Sequence, residues 1–405
     1  MSTDSGAAWI SRLACQQFRS YPQLDLSLPP GPLAFVGGNG AGKTNLLEAI
    51  SLFAPGRGLR GASAAEVVRR PAGQAVSRDK PALGVTPDGP GGPDGPAGQW
   101  AVSASLETPL GQRQLGVGLD ASGGKRILRL DGKTAPGASA FAEIVPILWL
   151  TPDDDALWRG PSQDRRRFFD QLVAAFEPGH VGNGLAYAQV MRQRLKLLKD
   201  AAAQNSPPDT IWLAGLEESM ARHGVAIAAA RRGLLRRLSD RVEGGVGPFP
   251  GARLGFKPGL ETHLAEGSAL DVEDRFRRAL LDARPRDGML GQTTIGPHRS
   301  DLDVYHAGHG REAAQCSTGE QKALLLALVL GHAKLLTTAR QIRPVLLLDE
   351  VAAHLDRDRR AALLEALAPL GGQIWMTGTE SGTFREISDE IALFSVHSGR
   401  VIQES

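Results

Sequence analysis

The stretch FVGGNGAGKTNLLEAI, residues Phe35 to Ile50, decides how the chain begins to fold. A short apolar strand leads into a glycine-rich turn, and a helix follows; the spacing G-x-x-x-x-G-K-T runs from Gly37 to Thr44. Glycines let backbone N–H groups converge on phosphate oxygens, and the start of the helix adds the positive end of its dipole. The stretch predicts a nucleotide-binding loop, but motors, transporters, kinases and switches share such loops.

The side chains of this loop have predicted roles. Lys43 is expected to reach the β- and γ-phosphates, and Thr44 to coordinate Mg²⁺. The whole loop is expected to contact the nucleotide, through Gly37, Gly38, Asn39, Gly40, Ala41, Gly42, Lys43 and Thr44.

A second apolar strand, PVLLLDE, ends in two carboxylates far downstream, at Pro344–Glu350. The carboxyl edge of a strand in an α/β sheet faces the ligand crevice, which suits ligation there. Asp349 is expected to hold the Mg²⁺ shell, and Glu350 to orient or deprotonate the attacking water. Lys43, Asp349 and Glu350 are therefore the predicted catalytic residues.

The segment CSTGEQKALLLAL, Cys316 to Leu328, places a small polar turn before a helix about 30 residues ahead of that strand. The order of phosphate loop, S-x-G-E helix and LLLDE strand resembles ABC-type ATPase heads. There the helix start caps the γ-phosphate of a nucleotide on a second head. By this resemblance Ser317, Gly319 and Glu320 bind nucleotide across a dimer, and Asp356 lies at the seam. No N-K-x-D or T-K-x-D element indicates guanine, so ATP is the expected nucleotide.

The distance between the two halves of this pattern indicates an inserted domain. About 270 residues separate Thr44 from Ser317, far more than in a transporter ATPase subunit. We expect the first part of the head at 1–152, a helical arm at 153–291 and the rest of the head at 292–405. Residues 71–98, dense in Gly and Pro, are expected to form a flexible surface insert.

Segments along nearly the whole chain resemble the RecF family of bacterial recombination-repair ATPases, which are SMC-like. The opening LACQQFRSYPQLDLSLPPGPLAFVGGNGAGKTNLLEAI carries the first likeness. Further segments are SLFAPGRGLR (Ser51–Arg60), GPSQDRRRFFD (Gly160–Asp170), YAQVMRQRLKLLK (Tyr187–Lys199) and TTIGPHRSDL (Thr293–Leu302). Leu195 stands where the family usually has Asn, and Thr377 or Thr379 lies near the place of the histidine found in transporters.

The resemblance implies an α/β fold, an ABC-type, SMC-like P-loop ATPase head split in sequence by a mainly helical arm (lobe II). It implies a slow, DNA-stimulated ATPase that uses ATP and Mg²⁺ and forms an ATP-dependent homodimer. It further implies binding to single-stranded and duplex DNA and gap junctions, and action with RecR and RecO to help load RecA. Roles in replication, recombinational gap repair and the SOS response follow from the same likeness.

Any affinity for DNA must come from a local patch, because the net charge of the chain is only +2. Between residues 157 and 240 there are 13 Lys and Arg against 8 Asp and Glu. Phosphate contacts need no base-reading pattern, so clustered arginines suffice. The candidate DNA-binding residues are Arg57, Arg60, Arg165, Arg166, Arg192 and Arg194.

Composition restricts the remaining possibilities. Two cysteines give no disulfide framework, and neither a signal peptide nor an apolar run of membrane-spanning length is evident, so a cytoplasmic protein is expected. No His and Cys cluster suggests a metal other than Mg²⁺. A transporter ATPase subunit and another SMC-type head, for example one fused to a nuclease, are the competing interpretations.

Overall fold

A computed structural model describes residues 8–69, 99–120, 126–204, 206–351, 357–367, 370, 372–385 and 390–404. The predicted insert at 71–98 and Asp356 lie outside these residues. The chain divides into two compact units. The first contains Met1–Trp149, Val345–Leu355 and Gly371–Ser405, and the second contains Leu150–Pro344 and Asp356–Leu370.

Strands and helices alternate at both ends of the described chain, and helices dominate its middle. The strands are β1 (Trp9–Phe18), β2 (Tyr21–Ser27), β3 (Pro32–Val36), β4 (Ala101–Glu107), β5 (Arg113–Leu119), β6 (Arg126–Leu130), β7 (Lys133–Thr134), β8 (Ile147–Leu150), β9 (Ala252–Phe256), β10 (Leu302–His306), β11 (Val345–Leu348), β12 (Ile374–Gly378), β13 (Ala392–His397) and β14 (Arg400–Gln403). The helices are α1 (Lys43–Ser51), α2 (Ser139–Ala142), α3 (Ser162–Phe176), α4 (His180–Ala203), α5 (Thr210–Val242), α6 (Leu260–Glu266), α7 (Ala269–Asp282), α8 (Arg284–Leu290), α9 (Thr318–Leu335), α10 (Arg357–Leu367) and α11 (Gly382–Arg385).

A six-stranded sheet of the order β14-β13-β3-β12-β11-β8 carries the phosphate loop in the first unit. The strands β13, β3, β12 and β11 run parallel, so their carboxyl ends meet at one edge. The sequence PLAFV of β3 is almost wholly buried, as expected of a strand covered on both faces. The Phe35 ring stacks on Trp375 of β12 at 5.0 Å and on Phe394 of β13 at 5.1 Å, which fixes the lateral order of these three strands.

A second six-stranded sheet, of the order β2-β1-β4-β5-β6-β7, is antiparallel throughout. Its apolar side chains alternate along β1 and β4, the pattern of a sheet with one buried face. One hydrophobic core joins residues of both sheets and of α1, including Phe18, Phe35 and Leu46. The helix after the phosphate loop is thus held on its buried side by this core.

The second unit is mainly helical. The 33-residue helix α5 begins at an Asp209 cap, whose carboxylate accepts from the backbone N–H groups of Ile211 and Trp212. A core that includes Tyr187, Met220 and Phe276 joins α4, α5 and α7. The strands β9 and β10 pair antiparallel as a two-stranded sheet.

The helix that begins at the predicted S-x-G-E segment, Ser317–Glu320, is apolar and buried. Thr318–Arg340 is long and apolar enough to cross a membrane, but 78% of its most apolar window is buried inside the protein, as in a core helix. After α9 the backbone makes a π-helical turn at Leu336–Arg340 before β11.

Candidate nucleotide-binding site

The loop between β3 and α1 is anchored to its neighbouring strands. The N–H of Gly37 donates to the carbonyl of Gly378, at the end of β12, at 3.2 Å. A Cβ at position 37 would lie 2.2 Å from the carbonyl oxygen of Val396 in β13. Only glycine fits this close backbone approach, so part of the motif is required by sheet packing.

The last glycine of the loop has a conformational requirement as well. Gly42 has φ +113°, in the left-handed region, and a Cβ there would meet the Ser20 and Tyr21 hydroxyls within 3 Å. The Tyr21 hydroxyl donates to the Gly42 carbonyl at 3.1 Å. The outer residues Gly38, Asn39 and Gly40 are exposed and leave that side of the loop open to a ligand.

Lys43 is 4% exposed and folds over the loop. Its Nζ donates to the carbonyls of Gly37 at 2.7 Å and Gly38 at 3.1 Å. Among the described residues, no carboxylate forms an ion pair with this ammonium group. A buried cation held by neutral carbonyls favours an anion beside it, because the anion supplies the missing charge.

A chain of hydrogen bonds links the loop to the carboxylate strand. The Thr44 hydroxyl donates to Asp349 Oδ1 at 3.1 Å, and the Thr377 hydroxyl donates to the same oxygen at 2.6 Å. The N–H of Glu350 donates to Thr377 Oγ1 at 2.8 Å. These four residues come from α1, the segment after β11, and β12, and the parallel sheet brings them to one edge.

Glu350 has an unusual backbone. Its φ is +50°, a left-handed conformation that costs free energy for a residue with a side chain. The hydrogen bond to Thr377 holds that conformation. Asp349 is 4% exposed, whereas Glu350 is half-buried, so the two neighbouring carboxylates face different surroundings.

The predicted S-x-G-E segment, Ser317–Glu320, forms a capping box at the start of α9 in the second unit. The Ser317 hydroxyl accepts from the Glu320 N–H at 3.3 Å, and the Ser317 N–H donates to Glu320 Oε2 at 2.8 Å. Hydrogen bonds from the Ser317 backbone and side chain, and from His309, lower the pKa of Glu320 to about 2. Ser317, Thr318 and Gly319 are exposed, so the helix start faces outward.

The candidate DNA-binding arginines near the loop lie on the surface. Arg57 is exposed. Arg60 is exposed as well, and it donates to Asn45 Oδ1 at 2.9 Å and to the fully buried Glu48 at 3.2 Å. Arg60 is therefore partly engaged in holding α1.

The candidates of the helical unit differ from one another. Arg165 is 14% exposed and binds Asp301 through two nitrogens, at 2.7 and 3.0 Å. Arg166 donates to the Ser300 carbonyl at 2.5 Å and the Ser162 hydroxyl at 2.9 Å. Arg192 on α4 is exposed. Of these, Arg192 presents the most accessible charge.

The predicted DNA contact of Arg194 is wrong. Arg194 is 0% exposed and donates to Glu217 at 2.9 Å, to Asp287 at 2.7 Å and to the Leu280 carbonyl at 2.7 Å. It lies seven residues after Tyr187, on the buried face of α4. Helical spacing could have identified this burial, because positions seven apart share a face.

Thr377 is the site residue that sequence reasoning did not assign. It was expected only near the position of a transporter histidine, and the structure buries it against Asp349. Its position on β12, the strand between β3 and β11, explains the contact. That strand order cannot be read from the sequence of any one motif.

The fold and this site define the head of an ABC-type ATPase. The family model RecF/RecN/SMC N terminal domain matches residues 9–401. A solved structure of the recombination mediator protein RecF-ATPrS in the RecFOR pathway superposes with a TM-score of 0.81, at 19% identity, covering 99% of both chains. The predicted fold class, a split SMC-like head with inserted helices, is confirmed.

Sequence relatives identify the family more narrowly. The DNA replication and repair protein RecF of Mesorhizobium japonicum is 44% identical over 397 residues, 97% of each chain. The RecF protein of Caulobacter sp. strain K31 is 44% identical over 390 residues, 94% of each chain. The chain therefore belongs to the RecF family of DNA replication and repair proteins.

Proposed function

We propose that the chain binds ATP and Mg²⁺ at the phosphate loop, closes into a dimer around them, and holds DNA in that state. The hydrogen-bonded group of Thr44, Asp349, Thr377 and Glu350 carries the proposal. The residues fit the ligand. A hydroxyl and a carboxylate are the hard oxygen donors that Mg²⁺ prefers, and the buried ammonium of Lys43 suits phosphate.

Each side chain then has a specific role. Lys43 would leave the loop carbonyls and donate to the β- and γ-phosphate oxygens. Thr44 and Asp349 would hold Mg²⁺, whose charge would offset that of the phosphates. Glu350 orients and deprotonates the attacking water. Thr377 fixes the positions of Asp349 and Glu350 relative to each other, because its hydroxyl donates to the Asp349 carboxylate and accepts from the Glu350 backbone N–H.

The exposed start of α9 supports nucleotide binding in trans. Ser317, Gly319 and Glu320 stand at the start of an 18-residue helix, whose positive dipole end and exposed position would favour a γ-phosphate bound to a second copy. Nucleotide then joins two heads, and hydrolysis releases them. The proposed parts are a head at 1–152 and 292–405 and a helical arm at 153–291.

The relatives support a role at DNA. RecF of the RecFOR pathway is a recombination mediator, so we assign this chain slow, DNA-stimulated ATP hydrolysis at gapped DNA. In this role it acts with RecR and RecO to help load RecA and supports the SOS response. Duplex DNA, single strands and gap junctions are the proposed ligands, contacted by exposed arginines such as Arg57 and Arg192.

Molar mass in solution, measured by light scattering, tests the dimer. We expect Mg²⁺ with a slowly hydrolysed ATP analogue to double the mass of the wild type but not of Ser317→Arg. The control is Ser268→Arg, since Ser268 is also an exposed serine cap, at the start of α7. Ser268→Arg should dimerise. A monomer under all conditions, or dimerisation of Ser317→Arg, contradicts the trans cap.

Hydrolysis assays test the site and the competing functions. Glu350→Gln should bind ATP while turning it over about 10²–10⁴-fold more slowly, because it removes the base. Duplex DNA should stimulate the wild type. An ATPase that DNA does not affect favours a transporter subunit, and DNA cleavage with Mg²⁺ favours a nuclease-type head.

A further inference from the structure

Two histidines and a carboxylate meet beside the start of α9, and the carboxylate, Glu320, is also one of the residues proposed to contact nucleotide in trans. His306 ends β10, His309 lies in the turn that follows, and Glu320 is in the first turn of α9. One ligand atom from each lies within 4.8 Å of the other two. We propose that these three side chains bind a late first-row divalent cation, such as Zn²⁺.

The turn between the histidines is held by the backbone. The N–H of His306 donates to the Arg311 carbonyl at 2.9 Å, and the N–H of Gly310 donates to the His306 carbonyl at 2.8 Å. A further bond, from the N–H of Ala307 to the Gly251 carbonyl at 2.8 Å, ties the turn to the segment before β9. The two imidazole rings stack at 3.9 Å, 11° from parallel, so at least one ring must rotate before a nitrogen of each can point at the same cation. The backbone bonds fix the main-chain positions of both histidines, so the ordering entropy of binding is confined to the side chains.

The carboxylate of Glu320 is oriented before any cation binds. Its Oε2 accepts both the N–H and the hydroxyl of Ser317 at 2.8 Å, while Oε1 faces His309 Nε2 at 3.2 Å. Such outer hydrogen bonds are what fix ligands around protein-bound metals. Because the two oxygens have separate partners, a cation at Oε1 leaves the capping box intact.

Binding of a cation requires the three ligand atoms to move closer together. Bonds of 2.0–2.1 Å to a tetrahedral Zn²⁺ place ligand atoms about 3.3 Å apart, and the His309–Glu320 pair is already near that distance. His309 is 35% exposed in its side chain, so its ring can rotate. Coordination at Nε2 moves the ring proton to Nδ1 and gives up the contact from the Arg311 N–H, which at 3.3 Å is already long.

The donor set selects the class of cation. Imidazole nitrogens favour Zn²⁺, Co²⁺, Ni²⁺ and Cu²⁺, whereas Mg²⁺ keeps to oxygen ligands. A fourth position is left for water, since three protein ligands are typical of an open zinc site. The sequence alone suggested no such cluster, because His306 and His309 are three residues apart but Glu320 joins them only in the folded chain.

Calorimetric titration of the untagged full chain with Zn²⁺ tests the site, without nucleotide and with excess Mg²⁺. We expect one equivalent to bind, and His306→Gln and His309→Gln each to weaken binding by roughly tenfold or more. The control is His263→Gln, an exposed histidine outside the cluster, which should bind Zn²⁺ as the wild type does.

Cobalt provides a second readout on the same variants. Co²⁺ should give the visible absorption of a four-coordinate site in the wild type and lose it in His309→Gln, with far-ultraviolet circular dichroism unchanged. Absence of one-to-one binding, or equal binding by wild type and His309→Gln, overturns the proposal. Since no nucleotide is present, either result is independent of the proposed dimer.

Discussion

Lys43 in the first unit and Arg194 in the second are both buried cations, but their surroundings differ. Arg194 has two carboxylates and a carbonyl as partners, so its charge is neutralised within the protein. Lys43 has two backbone carbonyls. A neutralised buried charge contributes to the fold, whereas a buried charge with only neutral partners is prepared for a ligand. Burial alone therefore does not distinguish structure from function.

The largest expected effect is on the stability of Arg194→Met. The change leaves Asp287 buried without its cation and leaves Glu217 with Arg284 alone, so we expect the free energy of unfolding to fall by about 3–5 kcal/mol. Chemical denaturation measures this loss. Arg192→Met, two residues away on the exposed side of α4, is the matched control and should lie within about 0.5 kcal/mol of wild type. Equal losses in the two variants would contradict a structural role specific to Arg194.

Lys43→Met should give the opposite pattern. Removal of a charged hydrogen bond to phosphate costs about 1.5–3 kcal/mol, so we expect ATP affinity to fall roughly 10- to 100-fold. The free energy of unfolding without nucleotide should stay within about 1 kcal/mol of wild type, because no carboxylate loses a partner. Calorimetric titration measures the ATP affinity, and denaturation of the same sample measures the free energy of unfolding. If Lys43→Met unfolds as readily as Arg194→Met, Lys43 is a structural cation and the contrast fails.

Acid should reduce the stability of the fold through a third charged group, Asp170, which is paired with Arg231. Burial raises the pKa of Asp170, but the charge and hydrogen bonds of Arg231, with a bond from His180, outweigh it and hold the pKa at about 2. A lowered carboxyl pKa stabilises the fold above its unfolded value of 3.8, and this contribution disappears as the pH falls from about 4 to 2.

The Asp170 side chain is one-third exposed, so after solvent screening we expect a contribution of about 1 kcal/mol. Denaturation at a series of pH values measures it. Asp170→Asn should give a curve that is flatter by that amount across this range. Parallel curves for the two proteins would show that Asp170 titrates as it does in the unfolded chain.

The smallest effect is expected for Arg192→Gln, in an assay of duplex DNA binding. If Arg192 contacts one phosphate, the log–log dependence of affinity on salt should become shallower by about 0.9. Stability should not change. An unaltered slope with an unaltered affinity would remove Arg192 from the DNA surface.

The sequence predicted well where a short segment determines its own conformation. The glycine spacing after β3, the apolar run of β11 and the serine cap of α9 each fold as expected, since their requirements are local. The prediction for Arg194 failed because a run of charges was interpreted without its helical face. Arg194 pairs with Asp287 and Glu217, which come from other helices, and no local sequence pattern predicts such partners.

The candidate site was predictable in its parts but not in their connection. Thr44 and Asp349 could be assigned individually, yet the 3.1 Å bond between them depends on β12 lying between β3 and β11. The roles assigned to the site residues, the domain limits and the remaining DNA contacts stay predictions. Experiments on the variants above address the first and the last of these.

The position of β3 has a consequence for synthesis of the protein. Both hydrogen-bonding edges of β3 are occupied by strands from the far end of the chain, Ile374–Gly378 and Ala392–His397. At about 5–20 residues per second, a ribosome needs tens of seconds between β3 and these partners. During that interval β3 lacks both of its neighbouring strands. A nascent chain stalled before Ile374 therefore cannot form the site. The nucleotide site can therefore be completed only after β12 and β13 have been synthesised.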